Sequence, residues 1–138
     1  MSTAPVHWTL LFAGACALLQ CALAALVIAQ RQRSNILFLD GGDTVLLRRM
    51  RAHGNFSETA PMALLLMLLL ELGGVAPAWL VSMGAALLLG RLLHAAGVLG
   101  LSSHRARLLG MALTLAVLSL AGLGCLGLAL GSGIPFGA

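Results

Sequence analysis

Four long apolar runs, separated by short polar breaks, set the pattern of this chain. The runs occupy residues 6–29, 55–72, 77–99 and 108–130. Each approaches or exceeds the ~20 helical residues needed to cross a bilayer. None has the strict polar–apolar alternation of a barrel strand, so the pattern predicts four spanning α-helices. The second helix is expected to start before its apolar run, near Thr44. Asp43 sits ahead of it as an N-cap, after the turn Asp40-Gly41-Gly42. Gly73-Gly74 stops that helix, and Pro77 suits the first turn of the next. Ser102-Ser103-His104 joins the third run to the fourth, and residues 132–135 read as a short tail.

Composition agrees. Of 138 residues, 60% are hydrophobic and 9% charged, with a mean hydropathy of +1.03. A soluble domain carries about 25% charged residues, so the expected class is an all-α integral membrane four-helix domain over residues 1–138. The first seven residues hold no Lys or Arg. That does not fit the basic n-region of a cleaved signal peptide, and the first run is expected to be retained.

Charge fixes an orientation. All eight basic residues are Arg, and net charge is +4. Arg31, Arg33, Arg48, Arg49 and Arg51 lie between or near runs one and two; Arg105 and Arg107 lie between runs three and four. The positive-inside rule places both connections in the cytoplasm and both termini outside. No basic, aromatic-interleaved surface exists, so nucleic-acid binding is not expected. Cys16, Cys21 and Cys125 are dispersed in apolar runs, with no disulfide or metal spacing; they read as small buried thiols.

The polar residues inside the runs carry the candidate chemistry, because such groups are costly at that depth. At about 100° per residue, Arg48, Arg51, Asn55 and Glu58 share one helix face. Two cations, an amide and a carboxylate can grip a small zwitterion. Glu58 has a competing structural reading, a salt bridge to Arg51 two turns away. The surplus of cations favours the ligand-facing reading. In run three, Arg91 and His94 share a face, and Arg91 lies about 21 Å along its helix. It is expected to pair with Glu58 or Glu71. Glu71 reads as a residue at headgroup level, and His53 sits on a different side of its turn. Arg105 and Arg107 serve either topology or the stabilisation of a ligand thiolate near neutral pH. Gly122-Leu123-Gly124-Cys125-Leu126-Gly127 spells a dinucleotide-binding pattern, but no strand precedes it. Its small residues, with Ala86, Gly90 and Gly97, are expected to allow close helix packing.

Arg51-Ala52-x-x-Asn55-x-x-Glu58-x-x-Pro61 resembles the signature of the MAPEG family, the membrane-associated proteins of eicosanoid and glutathione metabolism. Asp40-Gly41-Gly42, His53-Gly54-Asn55, Glu71-Leu72-Gly73-Gly74 and Gly90-Arg91-Leu92-x-His94 are similar to its bacterial branch. The resemblance covers nearly the whole chain. It implies a homotrimer of left-handed, up-down four-helix subunits in a bacterial inner membrane, with termini in the periplasm. It implies glutathione bound between neighbouring subunits on the cytoplasmic side. Arg51, Asn55 and Glu58 would hold its carboxylates and amine, with Arg48, Arg91 and His94 on the same side. Arg31 and His53 would reach the ligand from a neighbour. Arg105 or Arg107 would stabilise the thiolate, which attacks a lipophilic electrophile arriving from the membrane lipid. No metal is expected.

The chain departs from the active eukaryotic pattern in having no Tyr. Thr59 follows the motif Glu, and His94 and Val98 stand at helix-three aromatic positions. The expected function is therefore a glutathione transferase or peroxidase, with a non-catalytic lipid- or partner-binding protein of the same fold as the alternative. A four-helix multidrug transporter would need a carboxylate in its first run, which holds none.

Overall fold

The computed structural model describes residues 6–131, so the tail expected at residues 132–135 lies outside the described residues. Four helices follow in order: α1 (Trp8–Ser34), α2 (Thr44–Leu72), α3 (Pro77–Leu99) and α4 (His104–Ala129). All four are long and apolar enough to cross a membrane. The protein is an all-α four-helix bundle. The helix bounds match the expectation at α2, which starts at Thr44 ahead of its apolar run, and at α3. At α1 the helix continues through Arg31 and Arg33 to Ser34, and α4 starts four residues before its apolar run.

Local chemistry sets each end. Asp43 caps α2, accepting from the Val45 and Leu46 amides at 2.8 and 3.1 Å. Its second oxygen accepts from the Gln30 amide at 2.7 Å, tying the α2 start to the end of α1. The Gln30 bond, followed by the Leu46 amide, holds the Asp43 carboxyl below the usual carboxylate range. Ser103 caps α4 through the Ala106 amide. At the end of α3, Gly100 adopts φ 80° and the Leu101 amide reaches back to Ala96 O at 2.9 Å. This left-handed stop is one a side chain resists.

α1 has no side-chain cap of its own at residue 7. Glu71, from the last turn of α2, supplies it. One carboxylate oxygen accepts from the His7 and Trp8 amides at 2.9 and 2.8 Å, and the other accepts from the Thr9 amide at 2.8 Å. Glu71 is buried. It is not a solvated residue, and it is not the partner of Arg91. The unpaired amides at a helix start attract an anion, and the strongest anion nearby is this side chain.

Packing follows a three–four spacing. The buried positions of α2 include Phe56, Ala60, Ala63, Met67 and Leu70; those of α4 are Gly110, Thr114, Val117, Ala121 and Gly124. Average spacing of 3.5 residues is the period of left-handed helix packing. α2 and α3 form the centre. α1 packs on both from one side and α4 on both from the other, and among the described residues α1 and α4 do not meet. α1 buries only Thr9, Phe12, Cys16 and Leu23, with the Phe12 ring laid over Gly84. Many of its other residues, among them Leu10, Leu11, Leu18 and Ile28, are apolar and exposed, as a lipid-facing helix requires.

Candidate functional site

Glycines bring α3 and α4 together. A Cβ on Gly110 would stand 2.5 Å from the Gly90 carbonyl oxygen, and one on Gly97 would stand 2.6 Å from Arg107 Cβ. Both are closer than side chains tolerate, so the two backbones touch because neither position has a Cβ. Gly90 and Gly97 act as the sequence indicates. The α4 counterpart of Gly90 is Gly110, outside the glycine pattern at 122–127, while Gly97 meets Arg107; a Cβ on Gly122 would meet nothing within 4 Å.

This contact presses the start of α4 against the end of α3 and leaves a cleft on the side facing the first half of α2. Its volume is about 1140 Å³. Arg48, Arg51, Asn55 and Glu58 line it from α2, His94 and Val98 from α3, and Arg107 and Met111 from α4. The cleft therefore holds three guanidiniums, one carboxylate, one amide and one imidazole. Arg48, Arg51 and Glu58 are exposed.

Beneath the cleft, Arg91 is 1% exposed. Every hydrogen bond it makes to a described residue ends on a neutral oxygen. Nε donates to Thr114 Oγ1 at 3.0 Å. Nη1 donates to Asn55 Oδ1 at 2.7 Å and to Thr59 Oγ1 at 2.9 Å, with a longer contact to Asn55 O at 3.4 Å. The carboxylate partner expected for Arg91 is thus replaced by an amide and two hydroxyls. Because Oδ1 of Asn55 faces Arg91, its amide nitrogen remains as a donor for the cleft. Thr59 spends its own proton on Asn55 O at 2.8 Å, so its oxygen is free to accept from Arg91.

His94 is buried against α4, with Nδ1 3.3 Å from the Arg107 carbonyl. A carbonyl only accepts, so Nδ1 carries the proton and Nε2 is the acceptor of the neutral ring. The Arg107 guanidinium donates to His104 Nδ1 at 3.2 Å, which holds it near the mouth of the cleft. Arg105 is exposed and is not part of the lining.

Two further candidates lie elsewhere. Arg31 donates to the carbonyls of Ile36, Leu37 and Leu39 at 3.3, 3.2 and 3.0 Å, bracing the α1–α2 connection. Its Nη2 approaches Met50 Sδ at 3.5 Å. His53 faces α1, where its Nε2 accepts from Gln20 at 3.0 Å. Of ten candidates, six therefore line one cleft (Arg48, Arg51, Asn55, Glu58, His94 and Arg107). Arg91 supports that cleft from below, and Arg31, His53 and Arg105 lie apart from it. Thr59 and Thr114 escaped notice as Arg91 partners because a helical Thr carries no distinctive spacing.

Among the described residues, no group of three or more His, Cys, Asp or Glu side chains can hold a metal ion.

The chain is 41% identical over 69 residues to inner membrane protein YecN of Escherichia coli K12, covering 49% of this chain and 52% of the relative. The same protein from the Escherichia coli O6:H1 strain matches equally. The aligned stretch thus spans about half the length of these curated relatives. No solved structure matches. The model of the MAPEG family matches residues 9–127. That match takes in all of α2 and α3, every residue lining the cleft, and most of α1 and α4, so the chain is a member of the MAPEG family.

Proposed function

We propose that this protein is a membrane glutathione transferase or peroxidase, and that the cleft between α2, α3 and α4 binds glutathione. The carrying observation is the charge inventory of the cleft, three guanidiniums and one carboxylate on a single wall-to-wall surface. Glutathione presents the complement: two carboxylates, one ammonium and a thiol. Arg48 and Arg51 suit the carboxylates, Glu58 the ammonium, and the Asn55 amide a further acceptor. Each is a charge-assisted contact, stronger than a neutral one.

Arg107 then becomes the thiolate-stabilising residue in preference to Arg105, since only Arg107 lines the cleft. A nearby guanidinium favours S⁻ over S–H. The thiol proton leaves to His94 Nε2 or to water. With an alkylating electrophile, sulfur forms the new S–C bond and the leaving group departs with its electron pair. With a lipid hydroperoxide, sulfur takes the terminal oxygen, the O–O bond breaks and an alcohol leaves. A second glutathione then yields the disulfide and water. No protein nucleophile is needed; positioning and charge supply the rate.

In the homotrimer this reading entails, Arg31 and His53 lie on the α1 side of α2, away from the protomer's own cleft. They are the residues offered to a neighbour's ligand. The name of the Escherichia coli relatives and the arginine distribution support an inner-membrane site with the cleft cytoplasmic and the termini periplasmic.

A second reading, a non-catalytic binding protein of the same fold, is favoured by the absence of Tyr and by Thr59. The Thr59 hydroxyl is committed between Asn55 and Arg91, away from any thiol chemistry. Turnover separates the two. The purified protein in detergent is assayed with glutathione and either an aryl halide or a lipid hydroperoxide. Product formation lost in Arg107→Ala and kept in Arg105→Ala upholds the enzyme. Glutathione binding with no turnover on either electrophile class supports the binding protein.

A further inference from the structure

A second recess lies at the arginine end of the bundle, separated from the cleft by Arg48, which lines both. Its volume is about 230 Å³, and its walls are Leu26 of α1, Val45, Arg48 and Arg49 of α2, and Leu99 and Leu101 at the α3 stop. We propose that this recess binds the phosphate of an anionic phospholipid. The two sites share Arg48, and Arg49 belongs to the recess alone.

The two guanidiniums are positioned from opposite walls. Arg49 Nη1 donates to the Leu26 carbonyl at 2.8 Å, which holds its side chain against α1. Arg48 lies over Gly100, where a Cβ would come within 2.8 Å of its Nη1. The left-handed φ of 80° at Gly100 excludes most side chains there as well. The Arg48 side chain makes no hydrogen bond to another described residue, and no carboxylate lines the recess. Two cations held apart around a small space, with unused donors, match the oxygens of a phosphodiester.

The remaining walls say why the phosphate carries hydrocarbon. Four of the six wall residues are Leu or Val, and Leu26, Val45 and Leu101 are exposed. They continue onto the outer surface that faces lipid. Depth agrees: α2 starts at Thr44 and α3 stops at Leu99 beside the recess, while α1 runs on from Leu26 to Ser34, about 12 Å further. That is the level of headgroups, where arginines attract anionic lipid.

The test uses the delipidated full chain in nanodiscs of phosphatidylcholine with graded phosphatidylglycerol, with retained lipid read by native mass spectrometry. Wild type retains phosphatidylglycerol over phosphatidylcholine. Arg49→Gln weakens that retention about tenfold, as expected for losing a charge-assisted bond. Glutathione titration of Arg49→Gln stays at the wild-type value, because Arg49 is not in the cleft, and its melting temperature checks folding. If Arg49→Gln does not fold, Arg48→Gln supplies a second variant for lipid retention only, because Arg48 also lines the cleft. Inorganic phosphate that fails to displace the lipid confirms the lipid as the source. Displacement by phosphate alone upholds the phosphate site and assigns it to a soluble anion. Equal retention of the two lipids, or unchanged retention in both variants, overturns the proposal.

Discussion

Arg105 and Arg107 are two residues apart, and about 200° of helical turn separates their side chains. Only Arg107 reaches the cleft, so equivalent substitutions are expected to diverge. Arg107→Ala should abolish the acceleration of thiolate formation, and Arg105→Ala should leave it near wild type; absorbance of bound thiolate against pH reads both. Glu71 makes a second residue-level prediction. Glu71→Ala leaves three α1 amides without their acceptor, at a cost of about 2–4 kcal/mol for hydrogen bonds to a charged, buried group. Thermal unfolding in detergent checks it, and a melting point within a degree of wild type would contradict the cap. Asp43 gives the pH dependence. Its folded pKa is depressed, chiefly by the Gln30 hydrogen bond. The stabilisation is therefore fully present above the unfolded value of about 3.9 and is lost as pH falls through the lower folded value. Melting curves from pH 6 to 2 should show a decline in wild type that Asp43→Asn lacks. The face of Arg48, Arg51, Asn55 and Glu58 was readable from spacing alone, because helical geometry puts i, i+3 and i+7 side by side. The partners of Arg91 were not. Charge counting pointed to a carboxylate, but the chain satisfies the guanidinium with Asn55, Thr59 and Thr114, residues that look ordinary in a helix.

At the scale of helices, four apolar runs, the Asp43 cap and the Gly73-Gly74 stop were legible because lipid leaves the backbone little alternative to a helix, whereas the Ser103 cap and the Gly100 stop appear only in the structure. What brings two helices into contact was only half legible. Gly90 and Gly97 stood out in α3, but Gly110 has no pattern around it, and its role appears only when α4 is laid on α3. In the glycine-rich stretch of α4, Gly124 is buried, while Gly122 faces open space. This contrast is testable. Gly110→Ala forces a Cβ to 2.5 Å from the Gly90 oxygen and the His94 nitrogen. It should cost about 1–3 kcal/mol by overpacking and disturb the cleft through Arg107. Gly122→Ala meets nothing within 4 Å, and should be neutral or stabilising by up to about 1 kcal/mol through helix propensity. Paired melting curves read both. Glu71 belongs to this scale too. His7, at the N-cap of α1, supplies no side-chain cap, and Glu71 takes that place, a role not assigned to it from the sequence.

For the whole molecule, one side of the bundle gathers chemistry and the rest meets lipid. The arginine end holds the cleft, the recess beside Arg48 and Arg49, and the α1–α2 connection braced by Arg31. The other end holds the Glu71 clamp, which locks α2 to the start of α1 and leaves the arginine end as the working surface. The measurement that tests this account most directly is a calorimetric titration of glutathione into the detergent-solubilised protein, wild type beside Arg51→Ala and Glu58→Ala. The account predicts saturable binding to wild type and a loss of at least tenfold in affinity in each variant, the size of one charge-assisted contact. No heat of binding in folded wild type, or equal affinity in all three proteins, would contradict it.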